Sequence, residues 1–277
     1  MAIGAAVAAE DEAIARGAYL ANAADCVTCH TDEEHHGRPY AGGRAIPTPF
    51  GTFYSPNLTP DRETGIGRWS DAQFLRALHD GVRPDGSNLY PAFPYTSFTK
   101  ITDADALAIK AYLFSLPAVR HKNRPPALPF PLSWRWLVTP WKWLFFTPGR
   151  FRPAPGRSAQ WNRGAYLVTA LAHCGECHTP RNFLGAMEQS RFLAGTSSGP
   201  DGKAVPNITP DRKTGIGKWS LDDIVTLLST GQTPDFDFVG GAMAEVIKST
   251  SRLTAEDRRA IAVFLKSVPP VATPGKK

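Results

Sequence analysis

The chain has four cysteines, and they fall into two pairs, Cys26 with Cys29 and Cys174 with Cys177. A histidine follows each pair directly, His30 in "CVTCH" and His178 in "CGECH". Two thiols at this spacing on one turn of helix can form thioethers with the two vinyl groups of a single haem. The adjacent imidazole then faces the iron. On this reading the cysteines are attachment points, and His30 and His178 are the proximal ligands. Two other chemistries use the same residue types. Four thiolates can close a structural zinc site, and Cys-x-x-Cys can act as a redox dithiol. Neither accounts for a histidine after both pairs. Two covalently bound haem c groups are therefore the expected cofactors.

A sixth ligand is expected opposite each histidine. The soft thioether of methionine, placed there, raises the reduction potential. The methionines are Met1, Met187 and Met243. Met187 follows the second motif too closely to reach the opposite face and reads as a packing residue. Met243 lies far downstream in "VGGAMAEV", read as a glycine-flanked loop, and is the expected distal ligand of the second haem. The first motif has no such partner. Gly231 precedes Met243 by twelve residues, and Gly81 precedes Phe93 by the same twelve. Phe93 thus stands where a methionine would, and a phenyl ring cannot bind iron. Replacement candidates are His35, His36, His79, His121, Tyr90 and Tyr95. Each has an ordinary use as well: His35 and His36 in a charged loop, His79 on a helix surface, His121 at the start of a linker. A vacant or weakly ligated iron is the remaining option.

The elements that must position these groups occur twice. "RGAYLANAADCVTCHT" from Arg16 answers "RGAYLVTALAHCGECHT" from Arg163. "NLTPDRETGIGRWS" from Asn57 answers "NITPDRKTGIGKWS" from Asn207. "ITDADALAIKAYLFSLP" from Ile101 answers "LTAEDRRAIAVFLKSVP" from Leu253. Each copy predicts a helix ending before the first cysteine, then a long Gly/Pro loop. A second helix is capped by Ser70 or Ser220 and a last one by Thr102 or Thr254, with Asp105 and Asp257 placed as in a capping box. Gly17 and Gly164 sit inside the first helices, where Gly costs about 1 kcal/mol against Ala. Close contact with Tyr112 and Phe264 of the last helices would explain that cost. Strand signals are weak throughout.

Length and composition set the remaining limits. A chain of 277 residues suits two domains of ordinary size or one large one. It is 42% hydrophobic and 20% charged, which excludes a disordered chain. The formal charge of +6, which haem propionates would lower, favours an acidic protein partner or an anionic membrane face. The basic residues are scattered, so nucleic acid is not expected as a partner. No apolar stretch reaches the ~18 residues of a membrane span. The segment Trp134–Phe146, "WRWLVTPWKWLFF", is short, holds Arg135 and Lys142, and is broken by Pro140. The favoured reading is an aromatic linker packed on both domains. The sharper alternative is a peripheral membrane contact. The N-terminus, "MAIGAAVAAEDEA", lacks a basic n-region but resembles the end of a signal peptide, and reads as a mature or trimmed form.

These blocks, together with "LYPAFPYTSFT" and "MAEVIKSTSRLTAEDRRAIAVFLKS", resemble the cytochrome c subunits of membrane-associated bacterial alcohol, aldehyde and gluconate-type dehydrogenases. The resemblance runs from about Arg16 to Pro269. It implies a mainly α chain of two tandem class I cytochrome c domains, 1–122 and 158–277, joined by a Pro/Trp-rich linker, 123–157. It implies a periplasmic location, with a peripheral place on the inner membrane as one form of it. It implies electron transfer from a periplasmic or membrane-associated dehydrogenase to a quinone, cytochrome or oxidase. Met243 matches the family's distal methionine, and Phe93 departs from its "PAMP" pattern. That departure supports a rival class, a peroxidase-like di-haem enzyme working at an open first haem. A redox or ligand sensor is a third class, disfavoured because no output domain is attached.

Overall fold

A helix of 22 residues, α1 (Ala2–Ala23), opens the chain in the computed structural model, which describes residues 2–199 and 202–273. It runs through the alanine-rich start, as the high helix propensity of alanine favours. The chain divides into two units, residues 1–150 and 151–277. The first continues with α2 (Cys26–Cys29), an antiparallel hairpin of β1 (Ala45–Thr48) and β2 (Gly51–Tyr54), α3 (Asp71–Asp80), α4 (Tyr95–Phe98), α5 (Asp103–Ser115) and α6 (Val138–Phe145). The second holds α7 (Ala159–Tyr166), α8 (Gly175–His178), α9 (Leu221–Thr230), α10 (Gly241–Thr250) and α11 (Ala255–Leu265). The protein is mainly helical, and among the described residues the small hairpin is the one place where paired strands form despite weak signals.

The first and last helices of each repeat, α1 with α5 and α7 with α11, cross at backbone contact. A Cβ on Gly17 would lie 1.8 Å from the Ala108 carbonyl oxygen and 2.9 Å from Tyr112 Cβ. A Cβ on Gly164 would lie 1.9 Å from the Ala260 oxygen and 2.9 Å from Phe264 Cβ. Only glycine fits. The preceding arginine clasps each crossing. Arg16 Nε donates to Asp105 Oδ1 at 2.9 Å, and Arg163 Nε to Asp257 Oδ1 at 2.8 Å. Thr102 and Thr254 cap the last helices by accepting from the Asp105 and Asp257 backbone N–H groups. Ser70 and Ser220 head complete capping boxes, and Gly81 and Gly231 close the same helices in the left-handed region.

Between glycine and cysteine the second copy is one residue longer. Directly after α7 the residues Leu167–Leu171 form a π turn, the usual way a helix absorbs one extra residue. The repeated "NxTPD" block builds a turn rather than a reactive site. Asn57 Oδ1 accepts from Thr59 N, and its Nδ2 donates to Val119 O at 2.7 Å. Asn207 does the same with Thr209 and Val271, so each block ties down the chain that leaves its last helix.

The stretch 123–157, expected to bridge two domains, is divided. Residues up to Arg150 belong to the first unit. Ala127 pairs with Thr52, Tyr90 Oη donates to Leu132 O at 2.9 Å, and Arg135 Nη1 donates to Asn88 O at 2.8 Å. Lys142 Nζ donates to Asp80 O, Gly81 O and Asn88 Oδ1, capping the end of α3. Arg150 Nε reaches Asp103 Oδ1 at 2.6 Å. Trp134–Phe146, expected as a packed aromatic linker, packs only in part. Its two cations turn inward, while Trp134, Trp136, Trp143 and Leu144 are exposed.

His79 also departs from expectation. It is fully buried rather than on a helix surface, with Asp103 Oδ1 at 3.6 Å from Nδ1. Burial, reinforced by Arg150, pushes its pKa from 6.5 down to about 4. Between those values only the unfolded chain takes up the proton, so stability falls as pH drops through that window.

Two outcomes follow from this packing. Gly164→Ala should lower stability by about 1–3 kcal/mol in thermal or denaturant melts, as overpacking does. The modest gain that Gly→Ala gives in an open helix would contradict the crossing. The melting midpoint should decline between pH 6.5 and 4, and His79→Leu should flatten that decline. An unchanged slope in the variant would show that His79 is not its source.

Candidate functional site

Each Cys-x-x-Cys-His motif sits on a single helical turn set at an angle to the helix before it. Asp25 adopts left-handed backbone before α2, and His173 does so before α8. The His30 N–H closes the turn on Cys26 O at 3.0 Å, and the His178 N–H closes on Cys174 O at 3.0 Å. An arginine steadies the third motif residue in both copies. Arg44 Nη1 donates to Thr28 O at 2.8 Å, and Arg181 Nη2 donates to Glu176 O at 3.0 Å. Arg181 also pairs with the buried Glu176 carboxylate at 2.5 Å.

Both histidines are buried and held the same way. His30 Nδ1 lies 2.8 Å from Pro56 O, and His178 Nδ1 lies 2.8 Å from Pro206 O. A carbonyl oxygen only accepts, so Nδ1 carries the proton and Nε2 keeps its lone pair. Burial lowers the pKa of both imidazoles, which holds them neutral near pH 7. A neutral imidazole with Nδ1 anchored and Nε2 bare is the state that binds a metal. Pro56 and Pro206 were not singled out from the sequence. The signal existed, because proline precedes asparagine in both copies of the block.

The four cysteines are free of disulfides, with Cys29 exposed and the other three half-buried. Burial pushes the Cys26 and Cys174 thiols up to about 12. A redox dithiol needs an accessible thiolate, so this environment disfavours it. Among the described residues no three His, Cys, Asp or Glu side chains gather as a metal site. The residues present fit haem c, which asks for two thiols and one oriented imidazole.

The two units diverge on the distal side. Their registers agree through matching small turns: Val82 pairs with Asn88 and Gln232 with Phe238, while Leu89 N donates to Gly81 O and Val239 N to Gly231 O. Four residues later stand Phe93 and Met243. Met243 lies in the first turn of α10 and not in a loop, and is half-buried. Phe93 precedes the short α4 and rests edge-on against Phe98, with centroids 5.5 Å apart. Pro94, directly after Phe93, is the N-cap of α4, whereas the second unit runs ten residues of helix here.

Among the replacement candidates for the first unit, His35 and Tyr90 are committed elsewhere. His35 is exposed and paired with Asp32 at 2.9 Å. His36 and His121 are exposed. Tyr90 donates to Leu132 O. Tyr95 is fully buried against Gly81, with Phe146 edge-on at 5.1 Å and Lys142 Nζ 4.9 Å from its ring centroid. His79 faces Asp103 at the start of α5.

The sequence pattern described as Cytochrome c matches residues 14–117, inside the first unit. Known proteins match across both units. The chain is 42% identical over 260 residues to a "Diheme cytochrome c-type" protein of Cereibacter sphaeroides, covering 92% of this chain and 86% of that protein. It is 43% identical over 272 residues to the cytochrome c subunit of a quinone alcohol dehydrogenase of Gluconacetobacter polyoxogenes, covering 95% of this chain and 57% of the relative. It is 44% identical over 266 residues to the cytochrome subunit of a fructose dehydrogenase of Gluconobacter japonicus, covering 95% of this chain and 54% of that protein. The chain thus spans less than two thirds of the length of two of these relatives. The cytochrome c pattern, the anchored histidines and the likeness across both units agree, and the chain belongs to the cytochrome c family, alongside the cytochrome c subunits of dehydrogenases.

Proposed function

We propose that this chain is a di-haem cytochrome c that takes electrons from a dehydrogenase partner and passes them to a quinone, cytochrome or oxidase. The observation that carries the reading is the duplicated histidine anchor, with Nδ1 fixed on a proline carbonyl at 2.8 Å in both units. Cys26 and Cys29 would hold one haem and Cys174 and Cys177 the other, with His30 and His178 as the iron ligands. Haem, when bound, supplies a one-electron Fe(III)/Fe(II) couple. The protein's part is to fix the imidazole, hold it neutral and set the environment of the iron. Each unit is then one cytochrome c domain, the second built on residues 158–277 in the plan of the first. The dehydrogenase partner is supported by the relatives that serve as dehydrogenase subunits. The periplasm, on the face of the inner membrane, is the location this reading implies.

Met243 is the proposed distal ligand of the second haem, on the register it shares with Phe93. The first haem lacks a methionine there, so its iron is open or differently ligated. This gives the two sites different potentials, because the axial ligand is a main lever on potential. An electron carrier gains direction from such a difference. The same asymmetry supports the rival reading, catalysis at the open haem, and binding of cyanide or carbon monoxide at one iron is its prerequisite.

Intact mass after acid extraction should exceed the polypeptide mass by two haems, and bound zinc with no haem would overturn the proposal. In redox titration, Met243→Ala should lower one midpoint and leave the other in place. Phe93→Met should raise the other by supplying the missing sulfur. Two unmoved midpoints in Met243→Ala would remove Met243 as a ligand.

A further inference from the structure

Each unit follows its serine-capped helix, α3 or α9, with the same tight turn. In the first, Arg83 N donates to Ser87 O at 2.9 Å and Gly86 N to Arg83 O at 2.9 Å. In the second, Thr233 N donates to Asp237 O at 2.8 Å and Phe236 N to Thr233 O at 3.0 Å. Phe236 therefore stands where the first unit has Gly86, and both are left-handed, at φ 65° and 83°. Glycine takes that backbone freely, whereas a bulky side chain is strained in it. Tyr40 and Leu193 share such backbone, but both are buried, so packing offsets the strain. Phe236 is 80% exposed. Strain held at a surface without compensating contacts points to function.

The chemistry of the tip changes with it. In the first unit Asp85 Oδ1 accepts from Ser87 N at 2.9 Å and Ser87 Oγ at 2.7 Å, and Arg83 Nη1 lies 3.3 Å from Asp85 Oδ2. The second unit keeps the aspartate as Asp235, but Thr233 and Asp237 replace that arginine and serine. Asp235, Phe236, Asp237 and Phe238 are all exposed, and neither carboxylate is paired among the described residues. The two turns also differ in cover. Asn88 Nδ2 donates to Thr139 Oγ1 at 2.8 Å, while Arg135 and Lys142 donate to Asn88 O and Oδ1. Phe238, the counterpart of Asn88, is 69% exposed.

We infer that the 233–238 turn is the docking point for a redox partner protein, and that the partner surface it fits is an apolar hollow rimmed by Lys or Arg. Shape and charge select this occupant. Two projecting phenyl rings fit an apolar hollow, and aromatic anchors of this kind dominate protein interfaces. Two unpaired carboxylates beside them are complemented by a basic rim, which fixes the register of the contact. The first unit supplies an internal precedent, since its own turn is covered by a segment that brings Arg135 and Lys142 to the same place in the fold. The position gives the contact its use. The turn leads directly into α10, whose first turn holds Met243, five residues beyond Phe238. A partner seated here is next to the segment proposed to supply the distal ligand of the second iron. The inference rests on the electron-transfer reading for that use, and on the turn itself for the contact.

The test uses the full haem-loaded chain and, as probe, mitochondrial cytochrome c, whose apolar haem edge is ringed by lysines. Acetylating those lysines removes the rim and keeps the edge. Carbodiimide joins carboxylates to amines that are in contact, so the wild type should cross-link to the native probe through Asp235 or Asp237, as mapped by mass spectrometry. In stopped flow, the second-order rate of electron transfer from the reduced chain to the oxidised probe should fall at least about fivefold in Phe236→Gly and in Asp235→Asn/Asp237→Asn. It should fall likewise for wild type with the acetylated probe. Phe236→Gly should also melt above wild type, because it relieves the backbone. A gain in stability with a loss of docking is a pair that a purely structural role does not produce. Phe236→Gly transferring at the wild-type rate overturns the inference, and so do equal rates with native and acetylated probe. Cross-links through these aspartates between two copies of the chain, without probe, would assign the turn to self-association and also overturn it. A chain that reduces the probe through cross-links elsewhere retires this inference and leaves the electron-transfer reading standing. A chain cross-linked at Asp235 or Asp237 that passes no electron does the reverse.

Discussion

Everything in each unit hangs on one close approach, the backbone contact of α1 with α5 and of α7 with α11. Gly17 over Ala108 and Gly164 over Ala260 leave no room for a methyl group. The arginine beside each glycine is held by the aspartate that opens the last helix. Because this contact fixes the direction of the first helix, it also fixes where the helix delivers its two cysteines and histidine. The second copy shows how strict that delivery is. It holds one more residue between glycine and cysteine, and a π turn takes it up while the histidine is presented to a proline carbonyl as before.

That carbonyl is the second constraint. An imidazole has two nitrogens, and a site that must bind through one has to occupy the other. Pro56 and Pro206 do so from the start of the "PN" turn, which Asn57 and Asn207 bind to the chain leaving the last helix. The orientation of each histidine is therefore linked through two hydrogen bonds to the chain that leaves α5 or α11. Burial completes the arrangement by keeping the ring neutral. The units then part company. The first acquires residues 123–150 as a cover over its 82–90 turn, a buried His79, and Phe93 where the second has Met243.

What the sequence disclosed was the chemistry that is local along the chain. Cys-x-x-Cys-His and the serine and threonine caps depend on neighbours a few residues apart, the repeat exposed the glycine inside the first helix, and each appears in the structure. What it concealed was decided by distant partners. The proline carbonyls are backbone groups, which residue type does not announce. Arg135 and Lys142 look like surface cations of an interfacial segment, yet the carbonyls of Asp80, Gly81 and Asn88 draw them inward and turn the tryptophans out. His79 shares a helix with polar residues and is buried by the start of α5, a partner more than twenty residues away. Met243 has glycines on its N-terminal side that suggest a loop, but the following "AEVIK" continues as a helix from Gly241.

The central claim is that a duplicated scaffold presents two equally anchored histidines to two irons with unequal distal sides. Electron paramagnetic resonance of the fully oxidised, haem-loaded chain tests it most directly. The account predicts two unlike ferric signals in equal amount, only one of them of the low-spin His/Met type, and that one lost in Met243→Ala. Two identical His/Met signals would contradict it, since the register that sets Phe93 opposite Met243 would then not describe the ligands.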